Sequence, residues 1–402
     1  MAMSPQQIPV PPEPGDPAAT TPAAARSGVR RRAFLAAGVA AAVGGAGYVI
    51  NLATRPETGD VRWSYQGVSA MPAVAGDAVY GTGGGVVTAL NLKTGRVLWK
   101  FSKTSIDDVG DEYVPSFTPA VGRDLVHVAS QSPHLVALNA ADGGLAWLYR
   151  ADEGQDFTAS PVLADGTVYA ISSRTVGSLA STLHAIDAAS GARRWTLPVG
   201  DLELSAPAVA GDLIYVSRSD HDAFGTDPAA AWLAVDADTG VVAMTLETGG
   251  NSDRNPPALA VGDRVYLPSG KQIAAVQGGV GRVEWQVLSP GLWTVSLVWG
   301  GNERGGHVFM TDNDGVLYAL DSVRGELSWT SSSEAPLGAP PAYADGMLYA
   351  PLARGELHLL SALDGSRRAV YRAGTENFTS SPVVTGESIL VSDGARLHAI
   401  AR

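Results

Sequence analysis

The sequence predicts an all-β protein: an eight-bladed β-propeller of four-stranded antiparallel blades, with its ring closed by an N-terminal strand. Three observations support this prediction. One motif recurs at intervals of 36 to 49 residues, and short β-branched and aromatic runs fill the intervals. The last repeat also lacks a strand that is present, unpaired, at the start of the domain. Helical periodicity of useful length is absent from the sequence after residue 55.

The recurring motif is Ala-x-Asp, followed by Thr-Gly and then by a tryptophan four residues after the glycine. One copy reads Ala185-Ile186-Asp187, then Ser190-Gly191 and Trp195. The motif ends at positions 63, 99, 147, 195, 244, 285, 329 and 371, with methionine at 244 and tyrosine at 371. This spacing is the length of a four-stranded blade with its turns.

The repeated tryptophans are interpreted as structural residues rather than as a cofactor stack. A flat ring that recurs once per blade can pack against the adjacent blade and bury a large apolar area. The glycine before it permits a tight turn, and the Asp or Asn can cap that turn. The predicted docking residues are Trp63, Trp99, Trp147, Trp195, Trp285 and Trp329.

A proline marks the beginning of most repeats, ahead of the first strand. The strands themselves are runs such as Leu213–Val216, which Gly-Asp or Asp-Gly turns separate. A degenerate sixth unit begins near Val298 and has no such proline. The others begin at Pro72, Pro119, Pro161, Pro207, Pro257, Pro341 and Pro382.

Ring closure follows from the two ends of the domain. The last repeat stops at Leu397-His398-Ala399-Ile400, without its Thr-Gly and tryptophan strand. That strand occurs instead in residues 58–63, which end at Trp63. An open ring would leave unpaired strand edges, which invite aggregation. We therefore expect the N-terminal strand to complete the eighth blade.

The repeat resembles the tryptophan-docking motif of quinoprotein alcohol dehydrogenases and of the wider PQQ-like propeller family. The resemblance covers about residues 57–402, and its eight copies make it specific for the fold. It implies either a calcium- and pyrroloquinoline quinone (PQQ)-dependent dehydrogenase or a quinone-free member. Quinone-free members include an outer-membrane assembly scaffold and propellers fused to bacterial Ser/Thr kinases.

The residues before the propeller divide into two segments. Residues 1–29 are rich in Pro and Ala and are predicted to be disordered. Residues 30–53 begin with three arginines followed by Ala33-Phe34-Leu35, and they continue as a mildly apolar stretch. This resembles a twin-arginine signal, and an uncleaved membrane anchor is the alternative. The propeller, residues 56–402, is expected outside the cytoplasmic membrane.

Composition excludes several classes of site. The chain has no cysteine, so disulfides, zinc–thiolate sites and iron–sulfur clusters are impossible. The net charge is −12; residues 1–55 carry five arginines and two acids, which leaves −15 for the remainder. Nucleic-acid binding is not expected from so acidic a body.

Two motifs that suggest chemistry are better explained by structure. His184, His358 and His398 share one slot of the repeat, but Thr, Val, Ala and Tyr occupy it elsewhere, so we interpret it as packing surface. Asp312-Asn313-Asp314-Gly315 resembles a calcium loop, but Met310 stands where the first ligand would be. An ordinary hairpin turn is the preferred interpretation.

A binding face is predicted where the loops vary in length, opposite the short uniform turns. These loops are acidic, so we expect them to favour a basic or cationic partner, although a merely solvated acidic surface would have the same composition. The candidate residues are Asp111, Glu112, Asp152, Glu153, Asp156, Asp220, His221 and Asp222.

The sequence therefore predicts an extracytoplasmic, monomeric, non-catalytic module that binds an envelope protein or a small ligand. No catalytic, cofactor or metal residues are assigned. The first alternative is a PQQ- and calcium-dependent oxidoreductase. It is disfavoured because family dehydrogenases typically cap the quinone with a disulfide between adjacent cysteines, and this chain has no cysteine. The second alternative is a sensor domain that works with a Ser/Thr kinase.

Overall fold

The computed structural model describes most of residues 58–402. The described ranges are 6–7, 58–102, 115–174, 180–200, 202–220, 231–247, 257–269, 272–288, 297–302, 305–312, 314–333, 337–373 and 376–402. The side chains of 6–7, 202–203, 219–220 and 302 are outside this description. The chain divides into two compact units, Met1–Pro9 with Pro56–Arg402 and Val10–Arg55, and every described residue belongs to the first. The predicted leader, 30–53, lies outside the described residues.

The described strands form eight antiparallel sheets, each built on four strands that pair in order, as predicted. Blade 1 consists of Ala73–Ala75, Ala78–Gly83, Val86–Asn91 and Val97–Ser102, and blade 2 of Ala120–Val121, Leu125–Ala129, His134–Asn139 and Leu145–Arg150. Blade 3 consists of Val162–Ala164, Thr167–Arg174, Ala180–Asp187 and Arg193–Gly200. Blade 4 consists of Ala208–Ala210, Leu213–Asp220, Ala231–Asp236 and Val242–Glu247.

The second half of the ring repeats this arrangement. Blade 5 consists of Leu259–Val261, Arg264–Ser269, Gln272–Gln277 and Arg282–Leu288, and blade 6 of Leu297–Asn302, Gly305–Thr311, Val316–Asp321 and Leu327–Ser332. Blade 7 consists of Ala342–Ala344, Met347–Pro351, Glu356–Ser361 and Arg367–Arg372. Blade 8 consists of Val383–Val384, Ser388–Ser392, Arg396–Ala401 and Val61–Gln66. The degenerate sixth unit thus forms a complete blade.

Blade 8 confirms the predicted closure. Its fourth strand, Val61–Gln66, comes from the start of the domain and pairs antiparallel with Arg396–Ala401 at its end. The first strands of successive blades contact one another, which places them innermost in the ring. The apolar core lies between neighbouring blades, as eight clusters of buried side chains.

Antiparallel pairing gives the ring two different ends. Turns between first and second strands, and between third and fourth strands, lie at one end, which we call the turn face. Asp165 and Gly166 form one such turn with φ of 44° and 71°, the left-handed pair that a two-residue hairpin requires. The remaining connections, including residues 151–155, lie at the opposite end, which we call the loop face.

The structure contains a few short elements in addition to the four strands of each blade. Asp156–Phe157 and Leu202–Leu204 extend blades 3 and 4, and Ala353–Gly355 forms a single 3₁₀ turn. Gln6–Gln7 pairs in parallel with Val287 and Leu288 of blade 5. The part of the chain that the structure describes contains no helix with the length and apolarity needed to cross a lipid bilayer.

Candidate functional site

Each motif tryptophan lies on the glycine turn of the next blade. The indole of Trp147 covers Gly191, whose φ of 73° is left-handed, and a Cβ there would be 2.7 Å from Cδ2 of the ring. The indole Nε1–H also donates to the carbonyl of the next blade. The acceptors are Leu92 for Trp63 at 3.0 Å, Ala140 for Trp99 at 2.9 Å, Ala188 for Trp147 at 3.1 Å, Ala237 for Trp195 at 2.9 Å, Ser322 for Trp285 at 3.3 Å and Ala362 for Trp329 at 3.1 Å.

The glycine turn is capped as the sequence suggested. Oδ1 of Asp187 accepts from the backbone N–H of Ser190 at 2.9 Å and from its hydroxyl at 2.8 Å. Asp236 does the same for Thr239, at 2.8 and 2.6 Å. These bonds fix the turn on which the preceding blade's tryptophan rests. The motif residues therefore act together, as one joint between two blades.

Two joints lack tryptophan and are sealed differently. Met244 covers Gly281, and the Tyr215 hydroxyl donates to the Gly278 carbonyl in place of an indole. At the joint between blades 7 and 8 the sequence placed Tyr371 in the tryptophan position, but the register puts Ala369 there, opposite Leu359. The ring of Tyr371, two residues further on, reaches back to cover Gly59.

The predicted binding face is described at one loop, between blades 2 and 3. Asp152 pairs with Arg193 at 2.9 Å, Glu153 is exposed, and Asp156 is half-buried at the start of a short strand. Only the backbone of Asp220 is described, within the second strand of blade 4. Asp111, Glu112, His221 and Asp222 lie outside the described residues, so the gathering of all eight on one surface stays a prediction.

Acidic residues are not confined to the loop face. The side chains of Asp77, Asp345 and Glu387 are 77%, 78% and 68% exposed, although each has a basic partner. All three lie in turns between first and second strands, hence on the turn face. The acidity that the sequence assigned to the loops is therefore shared by both faces, and it does not by itself single out the loop face.

A buried hydrogen-bond chain runs inward from the Asp152–Arg193 pair. Nε of Arg193 donates to the Tyr149 hydroxyl at 3.0 Å, and this hydroxyl is 3.0 Å from Nδ1 of His184. On the other side, Nε2 of His184 is 2.7 Å from Oγ of Ser172.

The direction of the bonds in this chain can be assigned. Ser172 donates its only hydroxyl proton to Oε1 of Gln155, 2.5 Å away. It must therefore accept from Nε2–H of His184, which leaves Nδ1 as the acceptor for the Tyr149 hydroxyl. The chain is satisfied only when His184 is neutral. It is a structural network, since Ser172 is fully buried and a substrate could not reach it.

Burial lowers the pKa of His184 to about 4. An unfolded histidine titrates near 6.5, so the unfolded chain binds the extra proton first as the pH falls. The stability contributed by neutral His184 is present above pH 6.5 and is lost progressively between pH 6.5 and 4. The full shift corresponds to about 3 kcal/mol. Burial also lowers the pKa of His127, so this histidine likewise contributes stability that is lost as the pH falls.

We expect the urea midpoint of the wild-type protein to fall between pH 6.5 and 4, and that of His184→Gln to fall less steeply. Urea unfolding at half-unit pH intervals measures both slopes. The glutamine variant is compared with itself at pH 7.5, which removes the direct effect of the substitution. Parallel curves for the two proteins would show that His184 does not carry the linkage.

The Asp312 fragment, which resembles a calcium loop in sequence, forms a hairpin turn. Oδ1 of Asp312 accepts from the backbone N–H groups of Asp314 and Val316, and Oδ2 accepts from the Tyr318 hydroxyl at 2.8 Å. This carboxylate therefore caps a hairpin, as predicted. Across the described ranges, no three His, Asp or Glu side chains are grouped so that they could hold a metal ion.

This propeller matches one protein family over most of the chain. The family model described as "Outer membrane protein assembly factor BamB" matches residues 13–182, 175–291 and 290–402. The chain belongs to the BamB family. Its relatives include the outer membrane protein assembly factor BamB of Yersinia pestis, 25% identical over 334 residues that span 80% of this chain and 81% of the relative.

A quinone-dependent protein also matches this chain, but over less than half of its own length. Quinohemoprotein alcohol dehydrogenase ADH-IIG of Pseudomonas putida is 28% identical over 326 residues, which span 69% of this chain and 44% of the dehydrogenase. Among solved structures, BamB from Moraxella catarrhalis superposes with a TM-score of 0.66 at 17% identity, covering 85% of this chain and 97% of that one. That likeness concerns the fold.

Proposed function

We propose that this member of the BamB family is an extracytoplasmic, non-catalytic scaffold that binds an envelope protein. The observation that supports it best is the extent of the family match, which runs through all eight blades. The Yersinia pestis relative, which carries the name of an outer membrane protein assembly factor, aligns over most of both chains. The match to the quinone-dependent dehydrogenase, by contrast, spans less than half of the dehydrogenase's own length.

The loop face is the proposed contact surface. The turn face is built from short capped turns, and its exposed carboxylates Asp77, Asp345 and Glu387 each have a basic partner. The loop between blades 2 and 3 instead presents the exposed Glu153 beside the half-buried Asp156. Two contacts hold this loop to blade 3: Gln155 accepts from the Ser172 hydroxyl, and Asp152 pairs with Arg193. A rigidly held acidic loop suits a basic partner surface, because complementary charge raises the rate of encounter.

The place of action rests on the segment before the propeller. We propose that residues 30–53 direct the folded chain out of the cytoplasm or anchor it at the membrane, and that the propeller acts on the outer side. Their arginine-rich start and apolar continuation fit either route. A monomer is proposed, with no nucleic-acid partner.

Affinity capture tests this proposal. A tagged full-length protein is recovered from solubilised envelopes of the producing cells, and Glu153→Gln with Asp156→Asn is compared with Asp212→Asn and Asp238→Asn on the turn face. Both double variants remove two negative charges. We expect recovery of the principal envelope partner to fall by about threefold or more only for the loop-face pair. Equal recovery from all three proteins would exclude this loop as the contact.

A further inference from the structure

A cavity lies between blades 6 and 7. Its volume is about 270 Å³. Leu317 and Ser331 of blade 6 form one side. Leu352, His358 and Leu360 of blade 7 form the other. Ser332, Ser333 and Arg367 also line it, so the wall combines apolar side chains with an imidazole, three hydroxyls and a guanidinium. His358 is 6% exposed, so the imidazole is part of the interior rather than of the surface.

The cavity has a cause that the register reveals. The residue two positions after the tryptophan position in each fourth strand points at the next blade, and seven blades place a large side chain there. Blade 6 places Ser331 there instead, two residues after Trp329. The seven others are Tyr65, Phe101, Tyr149, Leu197, Leu246, Val287 and Tyr371. The volume of one large side chain is thus missing from this joint.

The joint between blades 2 and 3 shows what the missing group would do. Tyr149 occupies the position of Ser331 there, and its hydroxyl lies 3.0 Å from Nδ1 of His184. His184 and His358 are equivalent, since each immediately precedes the residue opposite the tryptophan position. A phenol therefore fills the equivalent space and hydrogen-bonds the equivalent histidine elsewhere in the same ring.

His358 is oriented to make the same bond. Its Nε2 is 3.2 Å from Oε2 of Glu356, whose Oε1 accepts from Arg372 at 2.7 Å. An ionised carboxylate only accepts, so Nε2 carries a proton, and in the tautomer protonated at Nε2 alone Nδ1 is an acceptor. Within the described part of the chain, Nδ1 of His358 has no protein hydrogen-bond partner. A hydroxyl group in the cavity would supply one.

We propose that the cavity between blades 6 and 7 binds a small phenol. Its ring occupies the space that Tyr149 fills in the joint between blades 2 and 3, and its hydroxyl donates to Nδ1 of His358. The size is sufficient, since an apolar protein cavity of about 150 Å³ holds benzene. The same group could arrive as a free phenol or as the tyrosine side chain of a partner, and the two sources need different probes.

The test is a calorimetric titration of the full-length protein with p-cresol and with toluene, which lacks the hydroxyl. We expect saturable binding of p-cresol with a dissociation constant between about 10 µM and 1 mM, as its few atoms allow. Toluene should bind about tenfold more weakly, because it leaves Nδ1 unpaired. N-acetyl-tyrosinamide distinguishes the sources: binding of it as well as p-cresol indicates that a protein's tyrosine can enter.

Ser331→Tyr restores the large side chain and should abolish p-cresol binding. Ser331→Leu, which copies the residue of blades 3 and 4, serves the same purpose if the tyrosine variant does not fold. His358→Leu should bind p-cresol and toluene with equal affinity. Absence of saturable p-cresol binding to the wild-type protein would overturn the proposal. So would affinity that is unchanged in a folded Ser331 variant.

Discussion

Replacing Trp147 with alanine should lower the free energy of unfolding by about 3 to 5 kcal/mol, the usual cost of deleting a buried large aromatic side chain. Trp147 is 9% exposed, covers Gly191 and donates to the Ala188 carbonyl at 3.1 Å. The alanine variant loses the packing against the next blade and leaves this carbonyl without its indole donor. Urea unfolding followed by tryptophan fluorescence measures the loss.

Two further variants separate the parts of this joint. Leu148→Ala, the adjacent residue on the same strand, removes a side chain that is 38% exposed and should cost far less. Gly191→Ala keeps the tryptophan but adds a Cβ against its ring at a left-handed φ, so it should also be strongly destabilising. If Trp147→Ala is no more harmful than Leu148→Ala, the tryptophans do not hold the ring together.

Removing the closing strand is expected to abolish the soluble monomer. A chain beginning at residue 67 lacks Val61–Gln66, so the third strand of blade 8 becomes an exposed edge that can pair with another copy. It also loses Trp63, which donates to the Leu92 carbonyl of blade 1 at 3.0 Å, and Ser64, whose Oγ is 2.8 Å from Nδ1 of His398.

The matched control for this truncation begins at residue 56 and retains the strand. Size-exclusion chromatography and thermal unfolding compare the two proteins. The control should elute as a monomer with one cooperative transition, whereas the shorter chain should be aggregated or should unfold at a much lower temperature. Two monomers with the same midpoint would contradict closure by the N-terminal strand.

The fold was predictable because its determinants recur eight times along the chain. A tryptophan four residues after a glycine is visible in the sequence, and so is a final repeat without its last strand. The joint at Tyr371 was harder to predict from the sequence. Its register puts Ala369 in the tryptophan position, and only the three-dimensional arrangement shows that Tyr371 reaches Gly59 from two residues away.

The candidate sites were harder to predict, for physical reasons. The cavity exists because one side chain is smaller than its counterparts. The small size of Ser331 is evident only when its position is compared, by strand register, with the same position in the seven other blades. The partners of His184 come from two blades, so Tyr149 and Ser172 could not be connected with it by spacing. Composition identified the acidic loops but could not show that acidic residues of the turn face, such as Asp77 and Asp345, are exposed as well.

Site-specific photo-crosslinking in living cells tests most directly whether the propeller is an interaction platform that uses its loop face. A photoreactive amino acid is placed at Glu153 on the loop face and, in a second protein, at Asp238 on the turn face, where both native side chains are exposed. We expect a discrete adduct with an envelope protein from position 153 and none from position 238. An adduct from position 238 alone, or none from either position, would contradict it.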